Sequence, residues 1–177
     1  MRKQVPLDQD GNKWIHNGRI HFIDYSVSYR PDTQIVLDKI NVSISPGEKI
    51  GVVGRTGAGK STLCLAICRF LEPSYGHIEI DGVDISEVGL ADLRENITVI
   101  PQDAALFENT LRFNLDPDEK ASDEQIMELL ERASLTNLAS RDAKGLDADI
   151  KDSDLSSGEK QLLCICRAIL RVSYINY

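Results

Sequence analysis

The sequence predicts an α/β domain with a strand-rich start, and three observations carry that reading. Between Arg19 and Ser45 apolar residues recur in short alternating runs, Ile20 and Phe22, Val27 and Tyr29, then Ile40, Val42 and Ile44. That period belongs to strands with one buried face. A glycine-rich run, Gly54 to Ser61, stands between a short apolar stretch, Lys49 to Val53, and a segment in which Leu63, Ile67, Phe70 and Leu71 recur at helical spacing. Finally, Ser122 with Gln125 and Ser156 with Glu159 form two Ser-x-x-(Gln/Glu) boxes, each opening an amphipathic stretch. Strands, a glycine loop joining strand to helix, and a helical block make an α/β chain.

Taken in order, residues 1–18 are polar, contain Pro6, Asp10-Gly11 and Asn17-Gly18, and read as a linker. The strands of 19–45 end at a Pro46-Gly47 turn, and Lys49 to Val53 reads as a further strand leading into the loop. His77 to Ile80 alternates and closes at Asp81-Gly82, a hairpin turn. Ile97 to Ile100 is expected as another short strand, ended by Pro101. The helix from Ser122 to Ala133 presents Ile126, Leu129, Leu130 and Ala133, and the last helix presents Leu162, Cys166, Ile169 and Leu170.

The bulk numbers bound the function. A chain of 177 residues, 42% hydrophobic and 27% charged, is an ordinary single globular domain. No apolar run approaches the ~18 residues that cross a bilayer, and Met1-Arg2-Lys3 has no apolar stretch behind it that would make a secretory signal. A net charge of −8 disfavours nucleic acid, whose phosphates are held by clustered Lys and Arg. Cys64, Cys68, Cys164 and Cys166 lack the spacing of a zinc site and lie in apolar, helix-like stretches, which reads as buried reduced thiols.

The chemistry sits in Gly54-Arg55-Thr56-Gly57-Ala58-Gly59-Lys60-Ser61, followed by Thr62, which fits G-x4-G-K-[ST] at every fixed position. Glycines let the backbone curl so that successive N–H groups face phosphate oxygens. The helix opening near Lys60 adds its positive end. Lys60 brings a point charge to the β and γ phosphates, and the Ser61 hydroxyl can ligate Mg²⁺. The alternative, a glycine-rich turn without a ligand, lacks the flanking strand and helix read here. The motif indicates a nucleoside triphosphate with magnesium, without separating a transporter ATPase from a kinase, GTPase or helicase.

Three further segments narrow the class: Leu155-Ser156-Ser157-Gly158-Glu159-Lys160-Gln161, Ile100-Pro101-Gln102-Asp103, and Tyr25-Ser26-Val27-Ser28-Tyr29-Arg30-Pro31. With the glycine loop, and with Asn114-Leu115-Asp116-Pro117, they resemble the ATP-binding cassette family. The resemblance is strongest to the second nucleotide-binding domain of the multidrug-resistance-associated, subfamily C, exporters, and runs from about Trp14 to Arg171. It implies a P-loop NTPase with a RecA-like core, an N-terminal antiparallel β subdomain and a helical signature subdomain spanning about 104–157. Residues 19–177 would be an incomplete nucleotide-binding domain lacking the C-terminal part of the core. The resemblance implies ATP and Mg²⁺ as cofactors. Gly54 to Thr62 would bind nucleotide, with Lys60 and Gln102 catalytic, Ser61 and Gln102 on the metal, and Tyr29 stacked on adenine. Ser156, Ser157, Gly158 and Gln161 would grip the γ-phosphate of the ATP held by a head-to-tail partner domain. Transmembrane domains would be the other partner, placing this domain at the cytoplasmic face of a membrane. Tyr25 reads as core.

The pattern then breaks. An apolar strand ending in Asp-Glu should follow the signature helix, and Ile175-Asn176-Tyr177 falls where it would begin, with Asn176 at a normally apolar position. His16, His21 and His77 all lie upstream of the helical block, so none matches the family's switch histidine. A fragment is therefore expected, one that binds Mg-ATP without turning it over at a family rate and leaves an apolar strand edge uncovered. Two alternatives stand beside the exporter domain. One is a non-hydrolysing ATP-binding regulatory module. The other is a soluble cassette ATPase acting on ribosomes or DNA, against which the charge and the subfamily C features weigh. The transported substrate is not written in these residues.

Overall fold

A computed structural model describes residues 14–173, with the side chains of 14–171. It divides into two compact units, one running through Ile97 and the other beginning at Thr98.

The first unit is built on a four-stranded antiparallel sheet in the order β2-β1-β3-β4. Its strands are β1 (Ile20–Ser28), β2 (Ile35–Ile44), β3 (Tyr75–Ile80) and β4 (Val83–Asp84). The alternation in 19–45 therefore folds as a hairpin, with Phe22 opposite Val42 and Val27 opposite Leu37. The core residues Phe22, Tyr25 and Val27 are not in phase as a plain period of two. An irregularity between Phe22 and Tyr25, with Asp24 at φ 46°, re-phases the strand. Both rings thus reach one core face and meet edge-on at 5.7 Å. Helix α1 (Lys60–Ile67) and α2 (Leu90–Glu95) contribute Ala66 and Leu93 to the same core. Each such side chain withdrawn from water contributes ~1.5–3 kcal/mol when large.

Residues 1–13 of the expected linker lie outside the described residues. From Trp14 onward the chain is tied to the sheet: Trp14 is buried, and the Asp81 carboxylate gathers the next amides. Its Oδ2 accepts from the backbone N–H of His16, Asn17 and Gly18 at 2.8, 2.9 and 3.0 Å, and its Oδ1 from that of Arg19 at 2.9 Å. Burial works to raise this carboxyl, and the four amides together outweigh it, leaving Asp81 below its ordinary value. A folded value below the unfolded one means the contribution is complete above the ordinary carboxylate value of about 3.9 and is lost as pH falls through the lower folded value. Asp81→Asn, which turns an amide donor toward backbone donors, is expected to cost about 1–3 kcal/mol at pH 7. It should also flatten the acid limb of stability, read by urea titrations at several pH values.

Two expected strands do not form. Lys49 to Val53 and Ile97 to Ile100 pair with no other strand. Val53 is 93% exposed, and Ile50, Val52, Val99 and Ile100 are exposed as well. The residue types suit a strand, but a strand is a pairing of backbone amides, and among the described residues neither run joins a ladder.

The second unit is helical, with α3 (Leu111–Leu115), α4 (Asp123–Arg132), α5 (Thr136–Ser140) and α6 (Ser157–Ser173), plus a small ladder of β5 (Asn109–Thr110) with β6 (Asp149–Ile150). Its core joins Leu111, Leu115, Ile126, Leu130, Leu163 and Leu170. The Ser122 box is formed in both directions: Gln125 N–H donates to Ser122 Oγ at 3.3 Å, and Ser122 N–H to Gln125 Oε1 at 2.9 Å. Arg112 spans Asp147 and Asp123 at 2.8 and 2.5 Å, exposed pairs that contribute little individually. The buried face of α6 differs from the expected one. Leu163, Cys166 and Leu170 are inside, while Leu162 and Ile169 are exposed. Likewise α1 ends at Ile67, so Phe70 falls beyond it and is 61% exposed under the guanidinium of Arg94, 4.3 Å from its centroid. The four thiols are unpaired, and Cys64, expected inside, is exposed.

Candidate functional site

The loop of 54–59 leads directly into α1, which begins at Lys60. Gly57 and Gly59 both take φ of +83°, which bends the backbone around on itself. At Gly59 a second constraint operates, because a Cβ there would meet Leu37 Cδ2 of β2 at 2.9 Å. The loop is thus seated against the sheet by the absence of a side chain. Lys60 Nζ reaches back to donate to the carbonyls of Gly54 and Arg55, each at 2.8 Å, so the ammonium lies over the loop. The first turn of α1 carries no carboxylate, leaving its positive end uncompensated. Arg55, Thr56, Gly57, Ala58 and Ser61 are exposed, while Gly59 and Thr62 are buried. Curled glycines, a helix start free of acid, a cation over the loop and an exposed hydroxyl at Ser61 fit a magnesium-bound triphosphate.

Tyr29 follows the end of β1 and belongs to the same unit. The residue is 54% exposed, while its Oη lies 3.0 Å from Thr62 Oγ1 in α1. The aromatic is thus held beside the phosphate loop by its polar tip. Tyr25, in contrast, is 1% exposed, as its core reading requires. Burial, with a smaller effect from Glu72, pushes its phenol up to about 12.

Gln102 is exposed in irregular chain at the start of the second unit. In that same unit Ser156 precedes α6 and forms a complete box with Glu159. Its N–H and its hydroxyl both donate to Glu159 Oε2 at 2.8 Å, and Glu159 N–H donates back to Ser156 Oγ at 3.2 Å. The Ser156 amide, then its hydroxyl and Arg141, hold the Glu159 carboxyl below the usual range. Glu159 thus engages the amide and hydroxyl of Ser156, while Ser157, Gly158 and Gln161 stand exposed beside it.

A residue of the Asn114-Leu115-Asp116-Pro117 segment organises this unit. Asn114, 0% exposed, donates to the carbonyls of Phe107 and Thr110 at 2.9 and 3.0 Å and accepts from Phe107 N–H at 2.8 Å. Arg167 Nε of α6 donates to the Asn114 carbonyl at 2.6 Å. Each bond needs a particular fold of 105–114, so no local signal marks it.

Comparison with known proteins agrees with this arrangement. The ABC transporter family profile matches residues 37–175. The chain is 45% identical over 168 residues to the vacuolar heme ABC transmembrane exporter abc3 of Schizosaccharomyces pombe, covering 94% of this chain and 12% of that protein. It is 49% identical over 175 residues to the ATP-binding cassette sub-family C member 2 of Rattus norvegicus, covering 98% of this chain and 11% of the relative. Among solved structures it is similar to a bacterial Atm1-family ABC exporter with ATP bound, at a TM-score of 0.80 and 29% identity, over 89% of this chain and 28% of that one. The chain spans about a tenth of the length of these curated relatives. No described helix is long and apolar enough to cross a membrane. On the match to the family profile and to these relatives, the chain belongs to the ABC transporter family and is an ATP-binding domain of that family.

Proposed function

We propose that this chain binds Mg-ATP at Gly54 to Thr62 and serves as the second nucleotide-binding domain of a subfamily C-type exporter. The observation that carries the reading is the loop itself: left-handed glycines, a helix start without acid, and Lys60 folded over the loop mouth. In this reading the loop amides and Lys60 hold the phosphates, Ser61 holds the metal, and Tyr29 stacks on adenine. A magnesium ion, when bound, would supply positive charge against that of the phosphates. The segment of about 104–157 is the helical signature subdomain. Ser156, Ser157, Gly158 and Gln161 present a second anion-binding surface to the ATP of a head-to-tail partner domain. Transmembrane domains of the same transporter would place the pair at the cytoplasmic face of a membrane. The relatives are exporters, which favours this reading over a regulatory module or a soluble ATPase.

The test is equilibrium dialysis of the purified 177-residue chain with labelled ATP, with and without Mg²⁺, paired with a phosphate-release assay. Saturable, magnesium-dependent binding is expected. The sequence holds no Asp-Glu pair at the end of an apolar run to position a water, so this polypeptide alone should not release several phosphates per chain. Absence of saturable binding would sink the assignment of the loop.

A further inference from the structure

The contact between Tyr29 and Thr62 joins the two ends of the candidate site. Tyr29 is a large aromatic residue, more than half exposed, yet its Oη is 3.0 Å from the Oγ1 of Thr62, a residue only 3% exposed. An exposed tyrosine ordinarily samples several rotamers, and a hydrogen bond to a fixed partner removes that freedom. Thr62 is such a partner. It lies in the first turn of α1, two residues after Lys60, and is packed against the unit. A hydroxyl has one proton to donate and two lone pairs that accept. Either hydroxyl can therefore donate in this pair.

We infer that Thr62 is a positioning residue for the base: it holds the Tyr29 ring in a stacking pose and couples that pose to the phosphate loop. This deepens the ATP-binding reading above and rests on Tyr29 meeting the adenine ring. A ring ordered before the nucleotide arrives does not have to be ordered on binding, which is where such a tether acts.

The experiment measures affinities of the 177-residue chain for ATP and for tripolyphosphate, both with Mg²⁺, and takes their ratio within each variant. A partial loss of folded protein then cancels. Wild type is expected to prefer ATP. Tyr29→Phe, which keeps the ring and loses the hydroxyl, and Thr62→Val, which keeps the shape and loses the hydroxyl, should each reduce the preference about threefold to tenfold. The double variant should lose no more than either single one, because both remove the same bond. Thr62→Ser should keep the wild-type ratio. An unchanged ratio in Tyr29→Phe or in Thr62→Val, or losses that multiply in the double variant, would overturn the tether. Tyr29→Ala separates the two levels. If it leaves the ratio at the wild-type value, the adenine reading itself fails. If it abolishes the preference while Tyr29→Phe retains it in full, stacking stands and only the tether fails.

Discussion

Replacing Lys60 with alanine is expected to weaken Mg-ATP binding at least about a hundredfold, close to 3 kcal/mol, while the urea midpoint of the chain moves little. The size follows from what the ammonium does. Charge-assisted hydrogen bonds are each worth ~1.5–3 kcal/mol, and Lys60 would make them to a group of several negative charges. Arg55, at the other end of the loop, is exposed and precedes the turn instead of lying over it, so it does not substitute. In the protein alone, Lys60 donates to the carbonyls of Gly54 and Arg55 in an exposed setting. Losing those two bonds exposes the carbonyls to water instead of stranding them, which keeps the stability cost to about 1 kcal/mol or less. Lys60→Arg should not restore affinity, because the guanidinium is a planar fork that cannot take the place of a compact charge above a tight loop. Isothermal titration with Mg-ATP measures this directly. A dissociation constant within threefold of wild type for the alanine variant would remove Lys60 from the phosphate site.

That prediction was available from sequence because its chemistry is local. The spacing of Gly54, Gly59, Lys60 and Ser61 determines loop curvature, helix start and charge within a few consecutive residues. The hairpin of β1 and β2, the turn at Asp81-Gly82 and the Ser122 box are equally local, since each depends on period or capping over neighbouring positions. Features that depend on distant partners are not legible in the sequence. Lys49 to Val53 has strand-forming residues but no ladder to enter, and ladder partners are supplied by other segments. The α6 face turned out to be Leu163, Cys166 and Leu170 because the packing surface selects among apolar residues present all round that helix. Asp81 reads as a turn residue, and nothing near it announces that it will receive four amides from residues 62 to 65 positions away. The resemblance implies a role for Tyr29 on adenine, whereas its bond to Thr62, 33 positions away, is a product of the fold.

Gly76→Ala is expected to have the largest effect on stability, about 3–5 kcal/mol, a large fraction of the ~5–15 kcal/mol that holds a typical domain together. Gly76 lies in β3 opposite the irregularity of β1, between the pairs Ser26–Tyr75 and Ile23–His77. There β1 swings toward it, and a Cβ on Gly76 would stand 2.2 Å from the Ile23 carbonyl oxygen and 2.3 Å from that of Asp24. Both obstacles are main chain, so no side-chain rotation relieves them. Two strands must separate, loosening the β1–β3 ladder and the Phe22–Tyr25 pair that the irregularity brings into phase. The φ of +69° adds the cost of a left-handed alanine. Gly82→Ala isolates that second contribution, because Gly82 has a φ of +82° with nothing within 4 Å of an added Cβ. It should cost only about 1 kcal/mol. Urea denaturation of the two variants separates steric approach from backbone preference: equal losses would show that the strand contact at Gly76 yields, and that the sheet does not depend on this close approach.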